Sequence, residues 1–155
     1  MVYAMGADRL MIKTLFQRNL MMINDGRRET MKLSCKCCGK GDASNNLKRK
    51  ILWLQDCFPK LEITCCYRCP KHNKEVGGAK NSLHMMTWGE RMVIHLPQLV
   101  LLGFSDAIDC YVPGIDLQDL AKTMIEIGFG GVIVYPTHVH GDVRAGRRYI
   151  RGVKP

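Results

Sequence analysis

Two histidines separated by one residue, His138 and His140, follow an apolar run near the end of the 155-residue chain. The run, Gly131 to Tyr135, is rich in Val and Ile and predicts a β-strand that leads into the histidines. Side chains two positions apart on a strand project from the same face, so both imidazoles are expected on one side of a sheet. Such a strand offers one ring to a metal and the other to a substrate.

Two further candidates for a site, Arg68 and His84, lie upstream in stretches punctuated by Gly and Asn, which are typical of loops. Imidazole is a common zinc ligand, and the planar guanidinium of an arginine matches the geometry of a carboxylate. Together with the histidine pair, these residues indicate a zinc hydrolase.

Size and charge limit the partners. With 155 residues and 46% hydrophobic content, the chain is expected to form one compact domain with a short appendage. The formal charge of +9 favours an anionic partner, which can be nucleic acid, an anionic cell-wall polymer or a membrane surface. No stretch is apolar and long enough to span a bilayer, because the best candidate, Met92 to Phe104, is short and contains His95 and Pro97.

The first thirty residues form an apolar series that is interrupted by Arg9, Lys13 and Arg18. A secretory signal has an unbroken apolar run and a small-residue cleavage site, and neither is present. We expect a cationic amphipathic helix that packs on or beside the core rather than on a membrane. The predicted organisation is a leader segment over residues 1–30 and one domain over residues 31–155.

Helical and strand patterns alternate along the rest of the chain with short connections, which indicates the α+β class. Apolar residues at helical spacing, caps and breakers predict the helices, and short alternating or apolar runs predict the strands. The predicted helices are Leu47–Phe58, Pro70–Val76 and Leu117–Ile127, and the predicted strands are Leu61–Thr64, Ala107–Val112 and the strand with the two histidines.

A longer pattern includes Arg68 and His84. From Tyr67 to His84 the chain reads Tyr-Arg-x-Pro-x-His-Asn, then Gly-Gly-Ala, then Asn-Ser-x-His. This stretch resembles the zinc D-Ala-D-Ala carboxypeptidase and L-alanyl-D-glutamate peptidase family, which includes phage endolysins and belongs to the lysostaphin/hedgehog-like zinc peptidases. A second block, Leu120 to Arg144, resembles the end of the family pattern, with Ile-Gly-Phe, Tyr-Pro-Thr and His-x-Asp-x-Arg. The resemblance implies a small antiparallel sheet with flanking helices, a Zn²⁺ cofactor and a peptidoglycan substrate.

The spacing of the expected zinc ligands departs from the family pattern, in which an aspartate follows the first zinc histidine by seven positions. Arg91 stands there, and the nearest acid, Glu90, lacks the surrounding pattern. That neighbourhood recurs around Asp109 instead. We therefore expect an insertion within residues 85–104 that separates His84 from Asp109, and surface insertions cost little loop entropy.

The resemblance assigns roles to the candidate residues. Zinc is expected to bind to His84, Asp109 and His140. His138 is expected to stabilise the oxyanion or exchange protons with the attacking water and the leaving amine. Arg68 is expected to bind a substrate carboxylate, and Asp142, the third catalytic candidate, to orient a histidine.

The cysteines offer a competing metal site. Eight cysteines in a chain without an export signal are expected to be thiols or metal ligands rather than disulfides. Two C-x-x-C pairs are typical of a structural tetrathiolate zinc, but the gap between them is longer than in the usual zinc ribbon. We therefore expect unligated thiols and keep a structural zinc as the alternative. These pairs are Cys35 with Cys38 and Cys66 with Cys69. Cys57 and Cys110 are expected to pack in the core.

The main prediction is a zinc metallopeptidase that cleaves peptidoglycan stem peptides, is made in the cytoplasm and acts on the anionic cell wall as a monomer without a nucleic-acid partner. One alternative is a basic zinc ribbon that contacts phosphates, although the same charges can simply form a solvated face. Its basic residues would be Lys48, Arg49, Lys50, Arg144, Arg147, Arg148 and Arg151. Another alternative is a catalytically silent relative that binds the cell wall.

Overall fold

The computed structural model describes residues 33–85, 103–146 and 148–154. Within these ranges the protein is a small α+β domain, as predicted. Its helices are α1 (Asn45–Cys57), α2 (Pro70–Glu75) and α3 (Leu117–Ile127). Its strands are β1 (Asp42–Ala43), β2 (Glu62–Cys65), β3 (Phe104–Ser105), β4 (Ala107–Tyr111), β5 (Gly131–Val134), β6 (Val139–Asp142) and β7 (Tyr149–Arg151).

Helix α1 begins where a serine can cap it. The Ser44 side chain accepts a hydrogen bond from the Leu47 backbone N–H at 3.3 Å, which satisfies one of the free donors of the first turn. Leu47, Ile51 and Leu54 recur at helical spacing and are fully buried. The helix therefore begins two residues earlier and ends one residue earlier than its apolar pattern predicted, because the capping side chain determines its start.

Helix α3 has the predicted bounds. Asp116 caps its first turn by accepting a hydrogen bond from the Gln118 N–H at 2.9 Å, and Gly128 ends it in the left-handed conformation at φ 90°. The helix packs against β6 at Gly141, where an added Cβ would lie 2.0 Å from Met124 Cε and 2.9 Å from a Phe129 ring carbon. Only glycine allows this approach of helix to strand.

The main sheet has five strands in the order β2-β4-β6-β5-β7. The β2/β4, β4/β6 and β5/β6 pairs are antiparallel, and β7 pairs with β5 in parallel at the edge. The expected antiparallel sheet is therefore present, with one parallel strand added. A separate parallel pair joins β1 to β3.

The two histidines do not continue the apolar strand, so the prediction of a single strand from Gly131 through His140 was wrong. Strand β5 ends at Val134, and a tight turn follows in which the Tyr135 N–H donates to the His138 carbonyl at 2.9 Å. Pro136 lacks an N–H and cannot extend a ladder, so the chain reverses there. His138 directly precedes β6 and His140 lies within it.

Two predictions fall outside the described residues. The leader over residues 1–30 lies wholly outside them, and of the inferred insertion over residues 85–104 only the ends, Met85 and residues 103–104, are described. Among the residues that the structure does describe, no helix has the length and apolarity to cross a membrane.

Candidate active site

Three side chains from distant parts of the chain converge on one point. His84 Nε2 lies 3.2 Å from Asp109 Oδ1 and 3.2 Å from His140 Nδ1. His140 Nδ1 lies 2.8 Å from the same Asp109 oxygen. The structure therefore brings together the three residues that the resemblance named as zinc ligands.

The sheet and one loop hold these ligands in place. Asp109 on β4 and His140 on β6 are register partners in neighbouring antiparallel strands, so their side chains share one face. His84 lies in a loop that two backbone hydrogen bonds hold in place. The His84 carbonyl accepts from the Arg68 N–H at 2.7 Å, and the Leu83 carbonyl accepts from the Asp106 N–H at 2.9 Å. The backbone thus fixes the approach of all three side chains.

A backbone carbonyl determines which nitrogen of His84 carries the proton. His84 is 1% exposed, and its Nδ1 lies 2.7 Å from the Cys66 carbonyl oxygen. A carbonyl only accepts hydrogen bonds, so Nδ1 must donate, and in the neutral ring Nε2 keeps its lone pair. That lone pair faces Asp109 and His140, as a metal ligand requires.

An ion pair fixes the second imidazole in a similar way. Asp142 Oδ2 lies 3.5 Å from His140 Nε2, which keeps a proton on that nitrogen and leaves Nδ1 toward Asp109. Asp142 is fully buried, and the Arg144 Nε donates to its Oδ1 at 2.7 Å. Gly131 on the neighbouring strand makes room for this carboxylate, since an added Cβ would lie 2.2 Å from its Oδ2. Asp142 therefore positions His140 and lies behind it.

The carboxylates remain charged despite their burial. Burial alone raises the pKa of Asp109, but the contacts with His140 and His84 outweigh it and hold the pKa below its usual range. Burial likewise raises the pKa of Asp142, and its contacts with His140 and Arg144 reverse that effect. For His140, burial lowers the pKa and the two carboxylates raise it overall. Both carboxylates therefore stay ionised beside the imidazoles.

The chemistry and spacing of these donors fit a zinc ion. Zinc binds histidine nitrogen and carboxylate oxygen at about 2.0–2.2 Å, which places the ligand atoms of a tetrahedral site roughly 3.3–3.5 Å apart. The three separations here, from 2.8 to 3.2 Å, are slightly shorter than that. Two imidazoles and one carboxylate leave the fourth zinc position for water, as in catalytic sites.

Cys65 is a further donor near this site that the sequence did not single out. Its thiol, His84 and Asp109 present ligand atoms within 4.8 Å of one another. However, the Cys65 sulfur lies 3.9 Å from His84 Nδ1, which already donates to a carbonyl. Burial raises the pKa of the Cys65 thiol to about 11, although Arg68 opposes that rise.

His138 borders the three ligands from the turn between β5 and β6. Its Nε2 lies 3.9 Å from Asp109 Oδ1, and the side chain is 27% exposed. Its Nδ1 lies 3.1 Å from the Thr137 hydroxyl, and its ring stacks on Tyr135 with centroids 4.8 Å apart. The imidazole therefore reaches both the ligand cluster and solvent.

Arg68 lies on the other side of Asp109, with one terminal nitrogen 3.8 Å from Asp109 Oδ2. Its Nε is buried, and within the described part of the chain it has no hydrogen-bond partner. A buried donor without a partner is costly, so this guanidinium has an unused capacity to bind an oxygen ligand.

The two C-x-x-C pairs do not form the four-thiol site that was the alternative to unligated thiols. Cys66 is buried, and its carbonyl accepts from the Ser105 hydroxyl at 3.2 Å as well as contacting His84. The thiol cluster that the structure forms contains Cys35, Cys37, Cys38 and Cys69. Cys37 was missed because it breaks the C-x-x-C spacing, and its pairing depends on a turn that spacing alone does not reveal.

Two smaller cysteine predictions also differ in outcome. Cys110 is fully buried, as predicted, whereas Cys57 is exposed at the end of α1. Its position follows from the helix register, because the buried face of α1 carries Leu47, Ile51 and Leu54 and Cys57 falls outside it.

Several basic residues proposed as phosphate contacts are engaged within the protein. Lys48 pairs with Asp42, and Lys50 Nζ donates to the Ile127 carbonyl at 3.0 Å. Arg144 holds Asp142. These contacts give Lys48, Lys50 and Arg144 partners within the protein, whereas Arg49, Arg148 and Arg151 are exposed.

A comparison with protein families places these residues in context. The model of the peptidase M15 family matches residues 27–142, which is most of the chain and includes every residue of the candidate site. No curated protein matches the chain. The chain belongs to the peptidase M15 family.

Proposed function

We propose that this protein is a zinc-dependent peptidase that hydrolyses peptidoglycan stem peptides. The observation that carries the proposal is the convergence of His84 Nε2, Asp109 Oδ1 and His140 Nδ1 within 3.2 Å of one another, in a chain of the M15 family. His84, Asp109 and His140 would hold the zinc ion. Zinc bound there supplies an activated water and polarises the peptide carbonyl.

His138 is the residue that moves protons in this proposal. It lies beside the ligands but is more exposed than any of them, so its Nε2 can face a substrate in the cleft. The Thr137 hydroxyl and the Tyr135 ring hold the imidazole in orientation. From this position it takes a proton from the attacking water and passes one to the leaving amine.

Arg68 binds the substrate through a carboxylate. Its buried Nε has no partner among the described residues, and a planar guanidinium matches a carboxylate with two parallel hydrogen bonds. Both candidate bonds place a carboxylate near the reacting carbonyl, because a D-Ala-D-Ala stem ends in one and D-Glu carries one beside an L-Ala-D-Glu bond. Arg68 therefore supports either specificity.

The charge of the chain agrees with action on the cell wall. A protein of net charge +9 is attracted to the anionic polymers of a bacterial wall. This setting suits a phage endolysin or a bacterial wall-remodelling enzyme. A silent wall-binding relative is disfavoured because the ligands, the proton carrier and the substrate arginine all lie together.

A direct test uses zinc-loaded full-length protein on purified peptidoglycan and on two synthetic stem peptides, one ending in D-Ala-D-Ala and one containing L-Ala-D-Glu. Mass spectrometry identifies the bond that breaks. We expect hydrolysis by the wild type, and loss of hydrolysis together with the zinc held at His84, Asp109 and His140 in His140→Ala and Asp109→Ala. Lys122→Ala, an exposed change on α3, is the matched control. Zinc that is lost in His140→Ala, and so occupies the site in the wild type, without hydrolysis of any of these substrates would overturn the peptidase assignment.

A further inference from the structure

We propose that Cys35, Cys37, Cys38 and Cys69 bind a second zinc ion, which has a structural role and is separate from the candidate active site. Thiolates are the ligands that closed structural zinc sites use most. The eight cysteines are all free thiols, and these four cluster while the other four do not join them.

The spacing of the sulfurs fits tetrahedral coordination. Cys35 Sγ lies 3.5 Å from Cys37 Sγ, which lies 3.3 Å from Cys69 Sγ. The Cys38 sulfur is the fourth, and all four sulfurs lie within 4.8 Å of one another. A zinc–sulfur distance of 2.3 Å places the sulfurs of a tetrahedral site about 3.8 Å apart. Small side-chain adjustments therefore bring all four thiols to one ion.

Backbone donors already point at two of the sulfurs. The Cys69 N–H donates to Cys35 Sγ at 3.4 Å, and the His72 N–H donates to Cys69 Sγ at 3.4 Å. His72 Nδ1 also lies 3.5 Å from Cys35 Sγ. Donors of this kind stabilise the negative charge of a thiolate, as outer-shell partners do around metal ligands.

The loop that carries three of the cysteines is tightly folded. The Cys35 N–H donates to the Lys40 carbonyl and the Gly39 N–H donates to the Cys35 carbonyl, both at 2.8 Å. Gly39 has a φ of 67°, a conformation that glycine adopts without strain. The turn projects the three thiols from one short segment toward Cys69 at the start of α2.

Cys38 and His72 compete for the fourth position. Cys38 Sγ lies within 4.8 Å of the other three sulfurs. The His72 ring contacts Cys35, with Nδ1 3.5 Å from its sulfur. The geometry therefore assigns the fourth ligand to Cys38, and His72 supports the Cys35 thiolate by hydrogen bonding.

The second ion would connect two segments that build the active site. The Tyr67 N–H donates to the Leu33 carbonyl at 3.0 Å, just before the cysteine loop, and Cys69 directly follows Arg68. Cys66, three positions earlier, orients His84. Zinc at the thiol cluster thus fastens the loop to the strand end that carries Arg68 and the Cys66 carbonyl.

The test is a metal count on full-length protein purified with a thiol reductant. We expect two zinc ions per chain in the wild type, one in His140→Ala and one in Cys69→Ser. A mercurial reagent should release one zinc from the wild type and from His140→Ala. Cobalt in place of zinc should give a thiolate-to-metal charge-transfer band in both of these proteins. Cys57→Ser, a change at an exposed cysteine outside the cluster, should keep both ions.

Other results would overturn the proposal. A wild type with one zinc that disappears in His140→Ala would mean that the thiol cluster binds none, and so would a cobalt-loaded wild type without the charge-transfer band. A disulfide between Cys37 and Cys69 under reducing conditions would also contradict it. If Cys69→Ser does not fold, Cys37→Ser and the wild-type cobalt spectrum provide the same test.

The fourth ligand has its own pair of variants. Cys38→Ser should lose the second zinc and His72→Ala should keep it. The reverse pattern would overturn the assignment of Cys38 and replace it with a site of three cysteines and one histidine.

Discussion

Asp109 Oδ1 lies 2.8 Å from His140 Nδ1, across two neighbouring strands in which these residues are direct register partners. The backbone hydrogen bonds that pair β4 with β6 therefore also set the separation of these two side chains. His84, which arrives from a loop, completes the cluster at 3.2 Å from each.

Replacing Asp109 with asparagine should abolish catalytic zinc binding. The side chain keeps its shape but loses its charge, and its amide can turn an N–H toward the imidazoles. We expect zinc affinity at this site to fall by more than about 100-fold, since even outer-shell changes cost 10- to 100-fold. Competition with a chelating dye measures the affinity. Asp106→Asn, a nearby change outside the cluster, is the control, and an equal loss there would contradict the assignment.

Asp142→Asn should weaken zinc binding without removing it. The change leaves the three ligands in place but removes the carboxylate that keeps a proton on His140 Nε2 and pairs with Arg144. The expected loss of affinity is about 10- to 100-fold. Titration of each protein with zinc at constant ionic strength measures the affinity, and the exposed change Asp119→Asn is the control. Unchanged affinity would show that Asp142 does not act through His140.

His138→Ala should separate catalysis from metal binding. Zinc content should stay at the wild-type level, because the three proposed ligands remain, whereas kcat should fall by about 10²- to 10⁴-fold, the usual contribution of a general acid–base group. Single-turnover kinetics on the cleaved stem peptide, with zinc measured on the same sample, provides the test. Loss of zinc with His138→Ala would identify this residue as a ligand instead.

Arg68→Ala should reduce selectivity for substrates that carry a free carboxylate. Hydrogen bonds to a charged group contribute about 1.5–3 kcal/mol, which predicts a loss of roughly 10- to 100-fold in kcat/KM. The informative comparison is between a stem peptide and its amidated form. The wild type should prefer the free acid, and the variant should treat both alike. A variant that keeps the preference would exclude Arg68 from carboxylate binding.

Gly141→Ala should destabilise the fold. The added methyl group would meet Met124 Cε at 2.0 Å and the Phe129 ring, and overpacking of this kind costs about 1–3 kcal/mol. Chemical denaturation measures the free energy of unfolding. In a Met124→Ala background the same substitution should cost less, because the space has been opened. Equal costs in the two backgrounds would contradict the packing explanation.

The residues of the candidate site could be named from the sequence because the relevant patterns are local. The block from Tyr67 to His84 and the block that ends at Arg144 are each short enough to resemble a family directly. Asp109 was harder, since the spacing to His84 departs from the family pattern and only its neighbours identified it. Its pairing with His140 depends on the order of strands in the sheet, which local patterns do not contain.

Other features depended on tertiary contacts and escaped prediction. The Val- and Ile-rich run predicts a strand that continues through the histidines. Pro136 cannot donate to a strand ladder, and the chain turns at Tyr135–His138 instead. The cluster of Cys37 with Cys69 joins residues 32 positions apart, so no spacing rule for C-x-x-C pairs could identify it. The turn follows from Pro136, whereas the thiol cluster depends on how distant segments fold together.

The turn before β6 gives the two nearby histidines unequal constraints. His140 lies in the middle of the sheet, with paired strands on both sides, whereas His138 stands where the ladder begins. In the proposed mechanism, a substitution at position 138 would remove proton transfer and leave the three proposed ligands in place. A single change there would then turn the proposed hydrolase into a protein that only binds its substrate.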